Sequence, residues 1–214
     1  MNVHKNLYRL WLGVREAIDK RLGEFRQLAQ SADDETLFWE CAFCLLTPQS
    51  KAQVCWEAVK RVRAIKIFHG IDSAILAGAI HPVRFKHNKA RYVIAAWELF
   101  REDGSFHVRK IIESCGSPFL MREWLVKNVT GLGYKEAGHF LRNIGFSTDL
   151  AILDRHILKN LKQLDVIPEV PGSLPRLRYL DVEMKMRRFA RAVGIPMAHL
   201  DLLLWYKEAG TIFK

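Results

Sequence analysis

Apolar residues recur at steps of three and four along most of the chain, which is the spacing of amphipathic helices. The first run predicts one long helix from Asn6 to Gln30, and the residues from Leu37 to Leu46 are apolar nearly all round, as in a buried helix. Further runs predict helices over residues 51–66, 73–80, 90–100, 176–193 and 197–209, and Gly104 begins a break before 106–112. Hardly any stretch alternates as a strand does, so we predict an all-α fold.

A glycine hairpin, Gly131-Leu132-Gly133-Tyr134, lies between two apolar-periodic runs, which predicts helix, hairpin, helix. Two glycines allow a positive φ at the turn and a close backbone approach, while Leu132 can fill the angle between the helices. The free N–H groups of the turn and of the second helix then point outward and can bind a phosphate oxygen. A Gly-x-Gly turn alone is weak evidence, because ordinary interhelical turns share it.

Two ionisable residues near the hairpin indicate chemistry. Lys135 begins the second helix, where partial positive charge disfavours the ammonium form, and a neutral amine is a nucleophile. Phosphate binding is the commoner role of such a lysine in hairpin modules. Asp154 follows the apolar residues 150–153 and is expected to cap a new helix. A carboxylate fixed there can also take a proton or stabilise a developing cation.

This combination resembles the helix-hairpin-helix DNA glycosylase superfamily, with its Gly-x-Gly-x-Lys hairpin and an Asp at a later helix start. More narrowly, GLGYKEAGHFLRNIG and AILDRHIL are similar to the compact, archaeal-type (type 2) 8-oxoguanine DNA glycosylase/AP lyases. The resemblance covers nearly the whole chain. It implies Lys135 as the Schiff-base nucleophile and Asp154 as its acid/base partner. It also implies one glycosylase unit over 1–214 with two interleaved helical lobes, an active site in their cleft, and a helix-hairpin-helix element at 118–145.

The same resemblance assigns residues to the DNA. Gln49, in the junction Leu-Thr-Pro-Gln-Ser, resembles the wedge that enters the duplex where the target nucleotide has left; the alternative is a plain loop residue. The stretch 81–89 interleaves basic residues with the aromatic Phe85, as a groove for phosphates and an unstacked base requires. Phe85 is therefore the candidate base-stacking aromatic; the alternative is a solvated loop whose Phe85 ring packs into the core. At the hairpin, Gly131, Gly133 and Tyr134 are expected to contact DNA.

The carboxy-terminal residues complete the implied base pocket. Trp205 and Lys214 match the spacing of a tryptophan and a terminal lysine that contribute to this pocket in the compact family. Trp205 offers a stacking face, and a terminal carboxylate can accept hydrogen bonds from the Watson–Crick edge of a purine.

Composition agrees with a polyanionic partner. The chain has 214 residues, half of them hydrophobic, so it can form one good core or two modest lobes that share an interface. A net charge of +10 favours nucleic acid, and an anionic membrane second. No segment approaches the ~20 apolar residues of a membrane span, and no signal architecture precedes the first helix. We therefore expect a monomeric protein in the cytoplasm, associated with the nucleoid.

Cysteine and histidine spacing argues against a metal. Cys41 and Cys44 form a single C-x-x-C within an apolar run and are expected to be buried core thiols. No four-cysteine cluster follows Asp154, which argues against the iron–sulfur branch of the superfamily. His139 and His156 have no partner at metal-ligand spacing, so we expect neither metal nor cofactor.

The sequence thus predicts a bifunctional enzyme that removes 8-oxoguanine from double-stranded DNA through a lysine Schiff base and then cleaves the strand by β-elimination. One alternative is a related glycosylase/lyase that acts on oxidised pyrimidines. The other is a non-enzymatic helix-hairpin-helix module, which would bind duplex DNA in a salt-sensitive way without releasing a base.

Overall fold

The computed structural model describes residues 3–65 and 72–214. The regular secondary structure of these residues is α-helical apart from one small β-hairpin. The all-α prediction is confirmed. The helices are α1 (Val3–Ser31), α2 (Asp34–Leu46), α3 (Ala52–Arg63), α4 (Ser73–Ala79), α5 (Lys86–Leu99), α6 (Val108–Ser114), α7 (Pro118–Asn128), α8 (Tyr134–Asn143), α9 (Arg155–Gln163), α10 (Arg176–Val193) and α11 (Met197–Ala209). The helix predicted over 51–66 ends at Arg63; Lys66 lies outside the described residues.

One element differs from the sequence prediction. Where only a break was expected near Gly104, β1 (Arg101–Glu102) pairs antiparallel with β2 (Ser105–Phe106). The two connecting residues, Asp103 and Gly104, both have positive φ, which is the geometry that an Asp-Gly hairpin turn requires. Strands of two residues are too short to show alternation, so only the Asp-Gly pair could have revealed them.

The chain divides into two compact units. The terminal unit comprises Met1–Gln30 and Gly145–Lys214, and the central unit comprises Ser31–Ile144. Among the described residues, no helix combines the length and the apolar character that crossing a membrane would demand.

Helix α2 forms the core of the central unit. Asp33 caps it by accepting a hydrogen bond from the backbone N–H of Thr36 at 2.8 Å. Every residue from Leu37 to Leu46 is buried, as its all-round apolar sequence predicts. The polar exception is Glu40, whose carboxylate accepts a hydrogen bond from the Asn143 amide of α8 at 3.3 Å, so that neither buried group lacks a partner.

The cysteines of α2 are core residues, as predicted. Cys41 and Cys44 are both fully buried and free of disulfides. Burial raises the pKa of the Cys41 thiol, which keeps it in the inert, protonated form.

In the terminal unit, helix α10 supports the chain that leads into α9. The segment 150–153 is buried but not helical, so its backbone needs partners from elsewhere. The buried carboxylate of Glu183 accepts from the Ala151 N–H at 2.8 Å. The Tyr179 hydroxyl donates to the Ala151 carbonyl at 2.7 Å and accepts from the Leu153 N–H at 3.3 Å. These bonds fix the backbone immediately before Asp154.

Gly145 follows α8 and has a φ of +75°. A Cβ atom there would overlap the backbone carbonyl oxygen of Phe25 and lie 2.9 Å from the Cβ of Ala29. Backbone atoms of α1 cannot move aside as a flexible side chain can, so the close approach needs glycine at this position.

We predict that Gly145→Ala lowers the free energy of unfolding by roughly 2–5 kcal/mol, since it adds the cost of positive φ for a side-chain-bearing residue to a steric overlap. Gly194→Ala is the matched control, because Gly194 has a φ of +70° in the same unit but open space around its Cβ position. That variant should lose only roughly 1–2 kcal/mol. Urea unfolding measures both, and equal losses would show that the contact with α1 is unimportant.

Candidate active site and nucleic-acid interface

The hairpin between α7 and α8 depends on one glycine rather than two. Gly131 has a φ of +95°, and a Cβ there would lie 2.5 Å from the ring of Tyr92 on α5. Gly133 has an ordinary φ of −92° and serves as the N-cap of α8. The positive φ expected at the turn is therefore that of Gly131, and the group packed against this glycine is an aromatic ring, not a backbone. Leu132 is buried between the two helices, as predicted.

Tyr134 is the first residue of α8, and its side chain is fixed on both sides. Its hydroxyl donates to the Glu123 carboxylate at 2.6 Å. The guanidinium carbon of the buried Arg122 lies 5.2 Å from the ring centroid, at cation–π distance. Both partners lie on α7, so the ring of Tyr134 ties the two helices together beside the hairpin.

Lys135 is the second residue of α8, where the predicted hairpin places it. Its amine lies 3.1 Å from Oε1 of Glu136, and its side chain keeps 23% of its exposure. The side chain of Glu136 is more buried, with 14% of its surface exposed. An amine within hydrogen-bond distance of a carboxylate can exchange a proton with it, so the pair has the components of a nucleophile and a base. The sequence analysis missed Glu136, although an acidic residue in the first turn beside Lys135 was the available signal.

Asp154 is the N-cap of α9, as its position predicted. Oδ1 accepts from the backbone N–H groups of His156 and Ile157, both at 2.8 Å. Oδ2 takes no part in these two capping bonds. Capping thus holds the carboxylate in place while it leaves one oxygen outside the cap, so the structural and the chemical roles of Asp154 are compatible.

Gln49 and Phe85 occupy exposed turns of the central unit. Both have left-handed backbone conformations, with φ of 56° and 58°, which side-chain-bearing residues seldom adopt. Phe85 is 56% exposed, so the alternative that its ring packs into the core is excluded. An exposed aromatic ring among basic residues can stack on an unpaired base.

Lys89 departs from the prediction for the basic stretch 81–89, because it does not face solvent. The residue is only 3% exposed, and its amine donates to the carbonyls of Leu46 and Pro48 at 2.7 and 2.6 Å and to the Ser50 hydroxyl at 3.3 Å. It is therefore not available to a phosphate. The sequence signal was its helical spacing with the buried residues Val93 and Ala96.

Burial lowers the pKa of Lys89 to about 8, with smaller contributions from the charges around it. Cys55 and Glu136 oppose this decrease, and the charges of Lys135 and Arg84 add to it. Burial likewise raises the pKa of Cys55 to about 11, and its thiol donates to the carbonyl of Leu46 at 3.1 Å. Lys89 thus belongs to the electrostatic surroundings of Lys135.

Trp205 and Lys214 lie at the carboxy-terminal end of the terminal unit. Trp205 is on α11 and is partly buried, and Gly210 ends that helix with a φ of 71°. Lys214 follows a short non-helical tail and is also partly buried, so the tail is not simply frayed. Helix α11 is held to α9 by Asn160, which accepts from the Lys207 amine at 2.7 Å and donates to Glu208 at 3.1 Å.

The predicted site residues fall in both units. Gln49, Phe85 and the hairpin residues up to Lys135 belong to the central unit, whereas Asp154, Trp205 and Lys214 belong to the terminal unit. Within the central unit, α5 brings the hairpin and the turn of Phe85 onto one element, since Tyr92 packs against Gly131 and Phe85 caps the start of the helix.

Comparison with known proteins agrees with the resemblance seen in the sequence. Residues 18–195 match the model of a family described as 8-oxoguanine DNA glycosylase. A Fusobacterium nucleatum protein named 8-oxoguanine DNA glycosylase/AP lyase is 43% identical over 91% of this chain and 90% of its own. An archaeal relative with that name, from Korarchaeum cryptofilum, is 39% identical over 94% of this chain and 92% of its own.

Two solved structures are also similar. The 8-oxoguanine DNA glycosylase of Thermotoga maritima superposes with a TM-score of 0.86 at 34% identity, covering 99% of this chain and 98% of that one. The Methanocaldococcus jannaschii 8-oxoguanine glycosylase/lyase, solved with a 15mer DNA containing 8-oxoguanine, gives 0.87 at 33% identity over 100% of both chains. The expected similarity to compact archaeal-type enzymes is confirmed.

Proposed function

Because the chain belongs to the 8-oxoguanine DNA glycosylase family, we propose that it excises 8-oxoguanine from duplex DNA with Lys135 as nucleophile and then cleaves the strand as an AP lyase. One observation carries the choice of nucleophile. The Lys135 amine is only partly exposed, is held at the start of α8 beyond a fixed hairpin, and lies within hydrogen-bond distance of the Glu136 carboxylate. Lys60, Lys159 and Lys185 also lie beside carboxylates, but their side chains are 55%, 55% and 40% exposed. None of these three begins a helix after a glycine hairpin.

The hairpin binds the phosphate backbone of the DNA. The first N–H groups of α8 follow Gly133, and helix starts of this kind bind phosphate oxygens without reading sequence. Gly131, Gly133 and Tyr134 flank these N–H groups at the DNA contact, and Tyr134 is held in place by Glu123. Gln49 is exposed on its turn and fills the gap left by the extruded nucleotide.

The chemistry at the sugar needs one nucleophile and a proton acceptor. The Lys135 amine attacks C1′, the glycosidic bond breaks, and its electron pair leaves with the base, which is protonated as it departs. The amine nitrogen loses a proton to a carboxylate, its lone pair then forms the C=N bond of the imine as the C1′–O4′ bond breaks, and O4′ takes up a proton. Abstraction of a 2′ proton then expels the 3′ phosphate, which breaks the strand by β-elimination. Asp154 stabilises the cationic sugar and assists proton transfer, and Glu136 can hold the proton of the amine.

The extruded base is held by aromatic faces and a polar tail. Phe85 offers an exposed ring, Trp205 offers a partly buried one, and Lys214 contributes polar atoms at the end of the tail. All of residues 1–214 act as one glycosylase unit in this proposal, with residues 118–145 as the helix-hairpin-helix element. We further propose that it works as a monomer in the cytoplasm, associated with the nucleoid.

Two other functions would give different experimental results. A glycosylase for oxidised pyrimidines would release those bases from a substrate panel, whereas the names of the relatives favour 8-oxoguanine. A non-enzymatic module would bind duplex DNA and release no base, and it would have no need of a lysine paired with an acid at α8.

We predict that Lys135→Gln abolishes the covalent complex that borohydride traps with 8-oxoguanine duplex, to below about 1% of the normal yield, because no amine remains to form the imine. Duplex affinity should change little. Gel electrophoresis of the reduced complex measures the first quantity, and fluorescence anisotropy the second.

Lys127→Gln is the matched control, since this exposed lysine lies in the last turn of α7 in the same motif. It should trap DNA normally. A Lys135→Gln protein that still forms the adduct, but binds DNA with a salt dependence reduced by about one charge, would identify Lys135 as a phosphate contact instead.

We predict that Asp154→Asn lowers the rate of 8-oxoguanine excision by about 10²- to 10⁴-fold while stability is preserved. Asparagine caps helices as well as aspartate does, so its side-chain oxygen can accept the same two hydrogen bonds without a negative charge. Asp154→Ala should lose activity and also about 1 kcal/mol of unfolding free energy. Single-turnover kinetics and urea unfolding separate the two effects, and a fully active Asn variant would reduce Asp154 to a helix cap.

We predict that Trp205→Leu slows excision of 8-oxoguanine by roughly 10- to 100-fold, because one base-stacking face is worth about 1–3 kcal/mol. Strand cleavage at a preformed abasic site has no base to hold and should stay within about threefold. Tyr206→Leu, which removes the neighbouring aromatic ring on α11, should leave both rates nearly unchanged. If Trp205→Leu lowered both rates equally, its role would lie outside the base pocket.

A further inference from the structure

The turns that carry Gln49 and Phe85 share an energetic property. Both residues adopt the left-handed conformation, with φ of 56° and 58°, at a cost of roughly 1–2 kcal/mol each for a residue with a side chain. Such conformations persist only where surrounding contacts determine them. The contacts that hold these two turns therefore decide how the side chains of Gln49 and Phe85 are presented.

One buried amine supplies those contacts for Gln49. Lys89 donates to the carbonyl of Pro48, directly before Gln49, and to the hydroxyl of Ser50, directly after it. Its third acceptor is the carbonyl of Leu46, the last residue of α2. A hydrogen bond to a charged group contributes about 1.5–3 kcal/mol, so three such bonds can offset the strain at Gln49.

The turn of Phe85 is tied to the same point. The Arg84 N–H donates to the Ser50 hydroxyl at 3.0 Å, immediately before Phe85. Phe85 is the N-cap of α5, and its carbonyl accepts the helical hydrogen bond from the Lys89 N–H at 3.1 Å. Ser50, which is partly buried, and Lys89, which is buried, together thus connect both left-handed turns, although the bond from Arg84 itself lies at the surface.

We propose that Lys89 and Ser50 act as a positioning pair that holds the wedge residue Gln49 and the stacking residue Phe85 at fixed positions relative to each other. When the base is extruded, Gln49 fills the gap in the duplex and Phe85 stacks on the base. The two side chains keep one relative position, because neither turn can shift without the other. This inference rests on the proposed roles of Gln49 and Phe85. The burial of Lys89 argues against the simpler role of a phosphate contact, since its amine is enclosed by its three acceptors.

The test compares two reactions of the full-length protein. Lys89→Met keeps the length of the side chain but removes its donors. We expect single-turnover excision of 8-oxoguanine to fall by roughly 10- to 100-fold, the range that displacement of a positioned group by about 1 Å produces. Cleavage of a preformed abasic duplex needs no extruded base and should stay within about threefold.

Two variants and a spectroscopic signal separate positioning from simple stability. Ser50→Ala should reproduce part of the loss, and the double variant should lose less than the product of the two single losses, because both remove the same connection. Lys20→Met, an exposed residue of α1, controls for the loss of one charge. A 2-aminopurine placed opposite the lesion should brighten when wild type binds and brighten less with Lys89→Met.

Each outcome decides the inference. Equal losses in excision and abasic cleavage would make Lys89 a structural residue only, and unchanged excision by Lys89→Met would overturn the proposal outright. If wild type itself released no 8-oxoguanine, the proposed function would fail, which is distinct from failure of the positioning pair.

Discussion

The close packing of Tyr92 against Gly131 is the constraint on which the central unit depends. No side chain fits at residue 131, because its Cβ would lie 2.5 Å from the tyrosine ring. The contact therefore fixes α5 against the hairpin, and through the hairpin it fixes the start of α8. Since Phe85 caps α5 and Lys89 lies one turn into it, one helix relates the amine of Lys135 to the turns proposed to extrude and stack the base. Precision at the site comes from a rigid helix and not from the loops themselves.

Polar groups buried in apolar surroundings also fix the positions of the groups that they contact. Lys89 is surrounded by three acceptors, Glu40 is paired with Asn143, and the chain before Asp154 takes its hydrogen bonds from Tyr179 and Glu183. Burying such groups costs free energy unless every hydrogen bond is made, so they stabilise a fold less than apolar residues of the same size would. What Lys89, Tyr179 and Glu183 contribute is a single orientation of the backbone that they hold. That backbone leads to Gln49 in the first case and to Asp154 in the other.

Much of this arrangement could be predicted from the sequence, and the limits have physical causes. Helical periodicity predicted the main helices, and the glycine hairpin predicted where Lys135 begins α8, because both signals are local. The strand pair at 101–106 escaped notice since two-residue strands have no period. A positive φ was expected at the turn, and of the two glycines Gly131 has it; the sequence could not tell which, because the choice depends on the ring of Tyr92 that packs there. Lys89 was interpreted as part of a basic surface, although its acceptors lie in a distant turn that periodicity cannot reveal.

We propose that the amine of Lys135, and not that of another lysine, forms the bond to the sugar. Lys89 is the most informative competitor, because burial lowers its pKa to about 8 and its charge acts on the same surroundings. The direct measurement is peptide mapping by mass spectrometry after borohydride reduction of the complex with an 8-oxoguanine duplex. We expect the sugar remnant on the peptide containing Lys135 and on no other. A remnant on Lys89, or a mixture spread over surface lysines, would contradict it.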